Sequence, residues 1–463
     1  MTAAPSALKR GAPPRGGAGR VPHHRRTPAP RPGQVDLALV AVALGGGITV
    51  GSALVNETAS QLSAAGGIAM FLGNLTGLVG TYLALVMFLL ISRLPFVERL
   101  LGQDGLLRWH RKLSPWPISL IVAHAFLLTI AYAQSTHNGF FGQIGAFVST
   151  YPGMLTAFVG FGLFIAVAAV SVFSVRRRLR RETWWAIHLM MYAAFALAFA
   201  HEVVLGPSFV NHPLAQILWS LVWAATAGLV LTYRFGLPIL RSLRHDVRVD
   251  HTRVEADGVT SILLTGRNLE RLAISGGQFF EWRFLRRGLW WQAHPYTLSA
   301  RPQPPYLRLT VQAVGDHSSA IAKLPRGTRV FLEGPYGAFT SHAKKGQKVS
   351  IIAGGVGVTA ARALLEDLGA NAVPFVVLRS TTEAHLPLAG EVRQLAEARG
   401  GSVKVVTGSR REVPADQVVA LLPELRRRDV YVSGSEAFVR AVTTELERRR
   451  VPKELIHSEV YAL

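Results

Sequence analysis

Six apolar runs, at about residues 35–55, 67–92, 115–134, 153–175, 183–204 and 213–235, constrain this sequence more than any other feature. Each is close to the ~20 residues an α-helix needs to cross a bilayer, where every backbone polar group must be satisfied within the protein. An all-α bundle of six transmembrane helices is therefore predicted. All six runs lie before about residue 236. Beyond it, short apolar segments alternate with charged and Gly/Pro punctuation, as in a water-soluble unit. The chain divides into a membrane half and a soluble half.

A formal net charge of +22 would ordinarily point to nucleic acid, but its placement reads as membrane topology. The connector between the second and third runs carries Arg93, Arg99, Arg108, Arg111 and Lys112, and that between the fourth and fifth carries Arg176, Arg177, Arg178, Arg180 and Arg181. The three opposite connectors, 56–66, 134–152 and 202–213, contain no Lys or Arg. By the positive-inside rule, both termini and the soluble half face the cytoplasm across the plasma (inner) membrane. Residues 1–33, with Arg10, Arg15, Arg20, Arg25, Arg26 and Arg31 among Pro, Gly and Ala, read as a disordered basic tail. The partner implied by these charges is the lipid bilayer, not nucleic acid. The first apolar run is followed by further spans, so it is read as a span and not a signal peptide.

There is no cysteine, which excludes disulfides, thiolate metal sites, iron–sulfur clusters and cysteine nucleophiles. Redox chemistry would then need organic cofactors or histidine-held metal. Four histidines form a pattern suited to the latter. His110 and His124 lie 14 positions apart around the third run, and His188 and His201 lie 13 apart on the fifth. Either interval is about 20 Å of helix. Both spans run outward, so His110 comes level with His188 and His124 with His201. Two levels with two facing imidazoles each suit two b-type hemes, an inner and an outer one. Ionisable side chains inside spans are costly and are usually functional. His137 and His212 fall in outer connectors and read as solvated. Pro115 and Pro117 are expected to bend or restart the third helix, and Gly45, Gly46 and Gly47 to let helices pack closely. Trp109, Trp116, Trp184, Trp185, Trp219 and Trp223 read as interface anchors or pocket walls.

In the soluble half, "VRVDHTRVEA", "VTSILLTG" and "LRLTVQAVG" predict an antiparallel β-barrel of about 100 residues. Next, "QKVSIIAGGVGVTAARALLEDL" reads as a buried strand entering Gly354, Gly355 and Gly357 and then a helix. That arrangement sets backbone amides against a pyrophosphate. "VPFVVLRS", "GSVKVVTGS" and "DVYVSGS" alternate with helical stretches, as a parallel nucleotide-binding sheet requires. The barrel also carries "HPYTLSA" and ends in "GPYG".

With these motifs in this order, the soluble half resembles the ferredoxin–NADP reductase superfamily. The whole chain, with "LRWHRKLS" and "TWWAIHLMMYAAFALAFAHEVVLG" carrying the histidines, resembles its ferric reductase and NADPH oxidase branch. The resemblance implies an FAD-binding barrel domain at 241–343 and an NAD(P)-binding domain at 344–463, behind a di-heme transmembrane domain at 34–240. It makes Tyr296 the aromatic flanking the flavin and Thr297 the hydroxyl near its reactive nitrogen. His294 and Ser299 would lie toward the flavin and its phosphates. Ser318 and Ser319 would cap a helix at the FAD pyrophosphate, and the terminal aromatic Tyr461 would cover the flavin where nicotinamide docks. Thr359 belongs to the dinucleotide loop, with Ala360 where relatives commonly have Pro. Gly434 holds the turn of a Ser433-Gly434-Ser435 segment that replaces the usual Cys-Gly-Pro. Arg379, Ser409 and Arg410, with Arg411, stand where NADPH-using relatives bind the 2′-phosphate, and arginine can do so bidentately. Either NADPH or NADH is compatible, NADPH being preferred.

The resulting expectation is electron transfer from cytoplasmic NAD(P)H through FAD and two hemes to an outer acceptor, with Thr297 and Tyr461 at the hydride-transfer site. The acceptor is a ferric chelate or dioxygen, or else a periplasmic or quinone partner. A heme-free membrane scaffold or transporter is the alternative of another class. Oligomeric state is not encoded legibly.

Overall fold

The computed structural model describes residues 33–461 except 56–57, 173–177, 180, 273, 338, 383–385 and 410. Arg410, Arg176, Arg177, Arg180 and nearly all of the predicted tail lie outside the described residues. The first part is helical: α1 (Gln34–Val55), α2 (Ala59–Ser63), α3 (Gly67–Ile91), α4 (Pro95–Leu113), α5 (Pro115–Ser135), α6 (Phe140–Thr150), α7 (Met154–Ser171), α8 (Arg181–Leu205) and α9 (Pro213–Leu229). Among the described residues, six stretches are long and apolar enough to cross a membrane: Val35–Val55, Gly67–Ile91, Gly105–Ser135, Met154–Ser171, Thr183–Leu205 and Pro213–His245.

Three features refine the expected spans. The third stretch begins ahead of Pro115, because α4 passes directly into α5: the Ser114 amide still bonds the His110 carbonyl at 3.0 Å, and the helix restarts at Pro115, which has no N–H to continue the ladder. The sixth does not stop at 235. It runs through a π-helical turn, Val230–Gly236, into α10 (Leu237–His245), crossing the expected domain boundary as one helical rod. Two connectors expected as loops contain α2 and α6; α2 starts at a capping box in which Thr58 and Gln61 bond each other's backbone.

Small residues let the spans approach. A Cβ on Gly73 would strike Leu128, one on Gly77 the His124 ring, and one on Gly80 Ile121, so α3 lies hard against α5. Gly160 of α7 faces the Ala194 carbonyl of α8 in the same way. Gly45 sits against the Tyr82 ring, whose hydroxyl donates to the Val42 carbonyl at 2.6 Å, whereas Gly47 faces open space.

The soluble half starts with two three-stranded antiparallel sheets. One has the order β1 (Arg248–Ala256), β2 (Val259–Thr265), β5 (Tyr306–Gln312); the other has β4 (His294–Thr297), β3 (Phe279–Phe284), β6 (Val330–Tyr336). A barrel was expected; among the described residues the two sheets are joined by isolated bridges, Leu298 to Leu309 and Arg248 to Arg329, and by backbone bonds such as the Val330 N–H to the Val247 carbonyl at 2.8 Å. They share one core built on Ile262, Leu264, Phe280, Trp282 and Leu309. The last unit is a five-stranded parallel sheet in the order β11 (Ile456–Tyr461), β10 (Asp429–Ser435), β7 (Lys348–Gly354), β8 (Val373–Ser380), β9 (Ser402–Thr407). Strand residues alternate between its two faces. Ile351 and Leu378 pack toward α12 (Val358–Asp367) and α13 (Ala389–Glu397), with α11 (Asp316–Ile321) preceding them in the chain. Ile352 and Val377 pack toward α14 (Ala415–Ala420) and α15 (Glu436–Arg448). Burial on both faces explains why these strands read as continuous apolar runs.

Trp282 is fully buried and its indole N–H donates to the Tyr296 carbonyl at 2.9 Å. Trp282→Ala should cost about 3–5 kcal/mol through lost burial and an orphaned carbonyl. Thermal unfolding of the purified protein, followed by circular dichroism, checks it.

Candidate functional site

The four span histidines meet in the pairs their spacing suggests. The ring centroids of His110 and His188 are 6.3 Å apart, with planes at 81°, and those of His124 and His201 are 6.4 Å apart at 47°. A metal bonded to one imidazole nitrogen on each face at ~2 Å sets the ring centroids ~6 Å apart. Both pairs have that separation. Among the described residues no group of three or more His, Cys, Asp or Glu gathers as a metal would require of protein ligands alone. Two facing imidazoles suit a metal whose other ligands come from a planar macrocycle.

The second ring nitrogens are held by the protein. His124 Nδ1–H donates to the Gly73 carbonyl at 2.8 Å, and His201 Nδ1 meets the Ala198 carbonyl. His188 Nδ1 lies 3.2 Å from Ser171 Oγ, while His110 Nδ1 is buried with no partner among the described residues. Carbonyl acceptors at Nδ1 select the tautomer whose Nε2 is free to ligate. Trp184 stacks on His188 at 4.9 Å. Ala84, Phe164, Ala194 and Phe195 form a buried apolar cluster, with Ala194 and Phe195 midway between His188 and His201 on α8. A cavity of about 210 Å³, lined by His124, His201, Glu202 and aromatic residues, surrounds the other pair. His137 and His212 are exposed in their connectors.

In the soluble half, β4 presents His294, Tyr296 and Thr297. His294 stacks on His317 at 3.6 Å and on Tyr296 at 6.4 Å. His317 was not singled out from sequence, since its partner lies far away in the chain. Burial pushes the Tyr296 hydroxyl up to about 12, so it stays protonated. Thr297 Oγ1 is buried and donates to Glu459 Oε1 at 3.5 Å. Glu459 was also missed; its proximity comes from β11 reaching the β4–β3–β6 sheet, a contact invisible to local pattern. Ser299 is fully buried, receiving the Thr310 hydroxyl at 2.8 Å, and Ser318 Oγ accepts from the Val314 and Gly315 amides at 3.0 and 3.1 Å. Ser319 is half-buried on the next position of α11.

The parallel sheet reverses its order between β7 and β10, and the turns after these strands lie together. Ser433 Oγ donates to the Gly357 carbonyl at 2.8 Å. Gly355 and Gly434 have φ of 55° and 153°, and a Cβ on Gly434 would come 2.9 Å from Phe438. Such a switch point is where open α/β sheets leave a crevice for ligands. Thr359 Oγ1 bonds the Val356 carbonyl at 2.9 Å and lies 3.3 Å from the Tyr461 hydroxyl, so the terminal strand closes one side of this crevice. Burial raises the Tyr461 hydroxyl well above its ordinary value. Arg379 donates to the Gly408 carbonyl at 3.2 Å, and the Ser409 amide is taken by Glu412 at 2.6 Å.

The family described as ferric reductase like transmembrane component matches residues 76–199, and that described as FAD-binding domain matches 252–340. A probable ferric reductase transmembrane component of Candida albicans is 27% identical over 298 residues, covering 61% of this chain and 40% of its own. Human dual oxidase 2 is 26% identical over 238 residues, covering 48% of this chain and 14% of its own. The chain thus spans less than half the length of these curated relatives. Among solved structures, the flavohem-like FAD/NAD binding domain of nitric oxide dioxygenase from Vibrio cholerae O1 biovar El Tor is 19% identical, covers 47% of this chain and 99% of its own, and superposes with a TM-score of 0.40. The flavohemoglobin from Malassezia yamatoensis is 15% identical, covers 77% and 88%, and has a TM-score of 0.42.

The Gly357 position makes a prediction independent of any ligand. A Cβ there would press on the Ser433 carbonyl, so Gly357→Ala should destabilise the protein by about 1–3 kcal/mol. The check is hydrogen exchange, which should rise in β7 and β10 first.

Proposed function

We propose that this chain, a member of the ferric reductase and NADPH oxidase superfamily, is a membrane-embedded oxidoreductase linking cytoplasmic NAD(P)H to an acceptor across the bilayer. The observation that carries this reading is the pair of imidazole levels at 6.3 and 6.4 Å in a bundle that leads by one helix into the flavin-domain sheets. When bound, FAD converts a two-electron hydride donor into single electrons, and two b-type hemes relay them through the low-dielectric core.

The chain's own residues bind, orient and exclude water. His110 with His188, and His124 with His201, are the proposed axial ligands, oriented where carbonyls hold Nδ1. His294, Tyr296, Thr297, Ser299, Ser318 and Ser319 shape the proposed flavin site. Tyr296 stays protonated and packs as an aromatic wall. Thr297, with Glu459 behind it, offers a hydroxyl where the flavin meets nicotinamide. Tyr461 covers the same place and must yield for nicotinamide to dock. Gly354, Gly355, Gly357, Thr359 and Gly434 form the proposed phosphate cradle, where bare backbone amides at a helix start suit a pyrophosphate. The boundaries 34–240, 241–343 and 344–463 remain the proposed domain division.

The basic connectors support a cytoplasmic placement of the soluble half. The outer connectors carry no Lys or Arg to attract an anionic chelate; the proposed acceptor is dioxygen or a ferric chelate, with a periplasmic or quinone partner as the second option.

NADPH is the proposed donor, through Arg379, Ser409 and Arg410. The Glu412 carboxylate on the Ser409 amide favours NADH as a second reading, because an acid in this region suits ribose hydroxyls and repels a 2′-phosphate. Comparing kcat/KM for the two donors in the wild type and in Glu412→Gln separates them. A wild-type preference for NADPH supports the first reading. A preference for NADH that Glu412→Gln weakens supports the second.

His124→Leu tests the function directly. It should halve the b-type heme content and stop acceptor reduction, while NADPH still bleaches the flavin at the wild-type rate. Gly77→Ala, which pushes a methyl group into the His124 ring, should have the same effect in milder form. Retention of both hemes in His124→Leu would refute the ligand assignment.

A further inference from the structure

Glu333, on β6 of the flavin-domain sheet, meets two cations from the membrane bundle. Its Oε1 lies 2.8 Å from Arg93 Nε, just past the end of α3, and 2.9 Å from Arg234 NH1 on the π-helical turn of the sixth span. The three side chains are only 15%, 21% and 17% exposed for Arg93, Arg234 and Glu333. The Tyr336 hydroxyl donates to the same carboxylate oxygen at 3.1 Å, and the Arg93 guanidinium lies 4.6 Å over the Tyr336 ring. Nearby, Arg241 NH1 bonds the Gly334 carbonyl at 3.1 Å, and Ser242 Oγ accepts from the Leu332 amide at 3.0 Å. Arg93 has φ of 61°, a left-handed conformation costly for a residue with a side chain and kept only where surroundings enforce it.

These contacts stand between the two ends of the proposed electron path. Toward the flavin, Tyr336 packs on Phe279 at 5.7 Å, and Phe279 is the strand partner of Thr297. Toward the inner pair, Phe235 follows Arg234 and packs on Tyr192 at 6.1 Å, one turn after His188 on α8. Glu281, Arg283 and Glu98 complete the charged surroundings, and burial pushes the Glu98 carboxyl up to about 7. A charge half-hidden from water and shared by two arginines is strongly directional, and removing it takes from both cations the carboxylate that they share.

We propose that Glu333 is a positioning residue, clamped by Arg93 and Arg234, that seats the flavin-domain sheet on the membrane bundle at the separation and tilt required for electron transfer to the His110/His188 level. This rests on the flavin and heme reading above. A redox step of this kind depends on geometry, and ~1 Å of misplacement can cost ~100-fold in rate.

The test uses the full chain in lipid nanodiscs. Because the chain has no cysteine, Arg108→Cys and Val254→Cys introduce a unique spin-label pair, one on the bundle and one on the exposed edge of β1. In this background Glu333→Gln should broaden the distance distribution. It should slow heme reduction after anaerobic mixing with NADPH about 10- to 100-fold and leave flavin reduction at the wild-type rate. Arg234→Gln, which opens the clamp from the bundle side, should give the same split, and Glu333→Asp should restore part of both readouts. An unchanged distance distribution, or heme reduction slowed no more than flavin reduction, overturns the proposal. Should Glu333→Gln fail to assemble, Arg234→Gln and Glu333→Asp are judged by the same criteria. A wild-type chain without heme would defeat the reading of function, while the spin-label distances would still decide whether Glu333 is the clamp.

Discussion

Two close-packed helix pairs, α3 against α5 and α7 against α8, hold the helices that carry the facing imidazoles, and the other features depend on them. Gly73, Gly77 and Gly80 remove the side chains that would hold α3 away from α5, and Gly160 does the same between α7 and α8. In lipid, where apolar burial gives no net drive for helices to associate, such contacts and backbone hydrogen bonds decide the packing. The Gly73 carbonyl then serves twice, as part of the close surface and as acceptor for His124 Nδ1–H. Ligand geometry and helix packing are therefore one property of these spans.

The same economy joins the halves. The sixth span does not end in a flexible linker but continues through a π-helical turn to His245, so the flavin-domain sheets are attached to a rod. Glu333 adds a second attachment at the end of the second span. Behind it, the reversal of strand order between β10 and β7 opens a crevice, and β11 brings Glu459 and Tyr461 against Thr297 and Thr359. Nicotinamide, flavin and inner heme sites thus form a proposed sequence set by two elements of continuous backbone and one ionic clamp.

Much of this was legible because it is periodic or punctuated. Apolar run length marked the spans, and a spacing of 14 against 13 residues on two helices expected to run in the same direction anticipated which histidines meet. The glycine turn after β7 and the β-branched strands of the parallel sheet are local signals. Where local signals were overlooked, as in the Thr58 to Gln61 capping box of α2, the sequence did contain them. The extension to His245 was hidden because α10 mixes Arg241 and Arg244 with leucines and so looked like the start of a soluble unit. The Arg93–Glu333 contact, the His294–His317 stack and the approach of Glu459 to Thr297 join residues from distant parts of the chain, and no periodicity announces them. The two flavin-domain sheets were expected to close as a barrel because strand alternation reports which face is buried, not whether edges pair.

The central claim is that two iron centres, each held by two imidazoles, sit in series behind a flavin. Electron paramagnetic resonance of the oxidised, purified protein, with heme and flavin quantified on the same sample, tests it most directly. The account predicts two low-spin bis-imidazole ferric signals per chain, both lost when NADPH is added without oxygen. A flavin-bearing protein with no b-type heme, or with only high-spin iron, would contradict it.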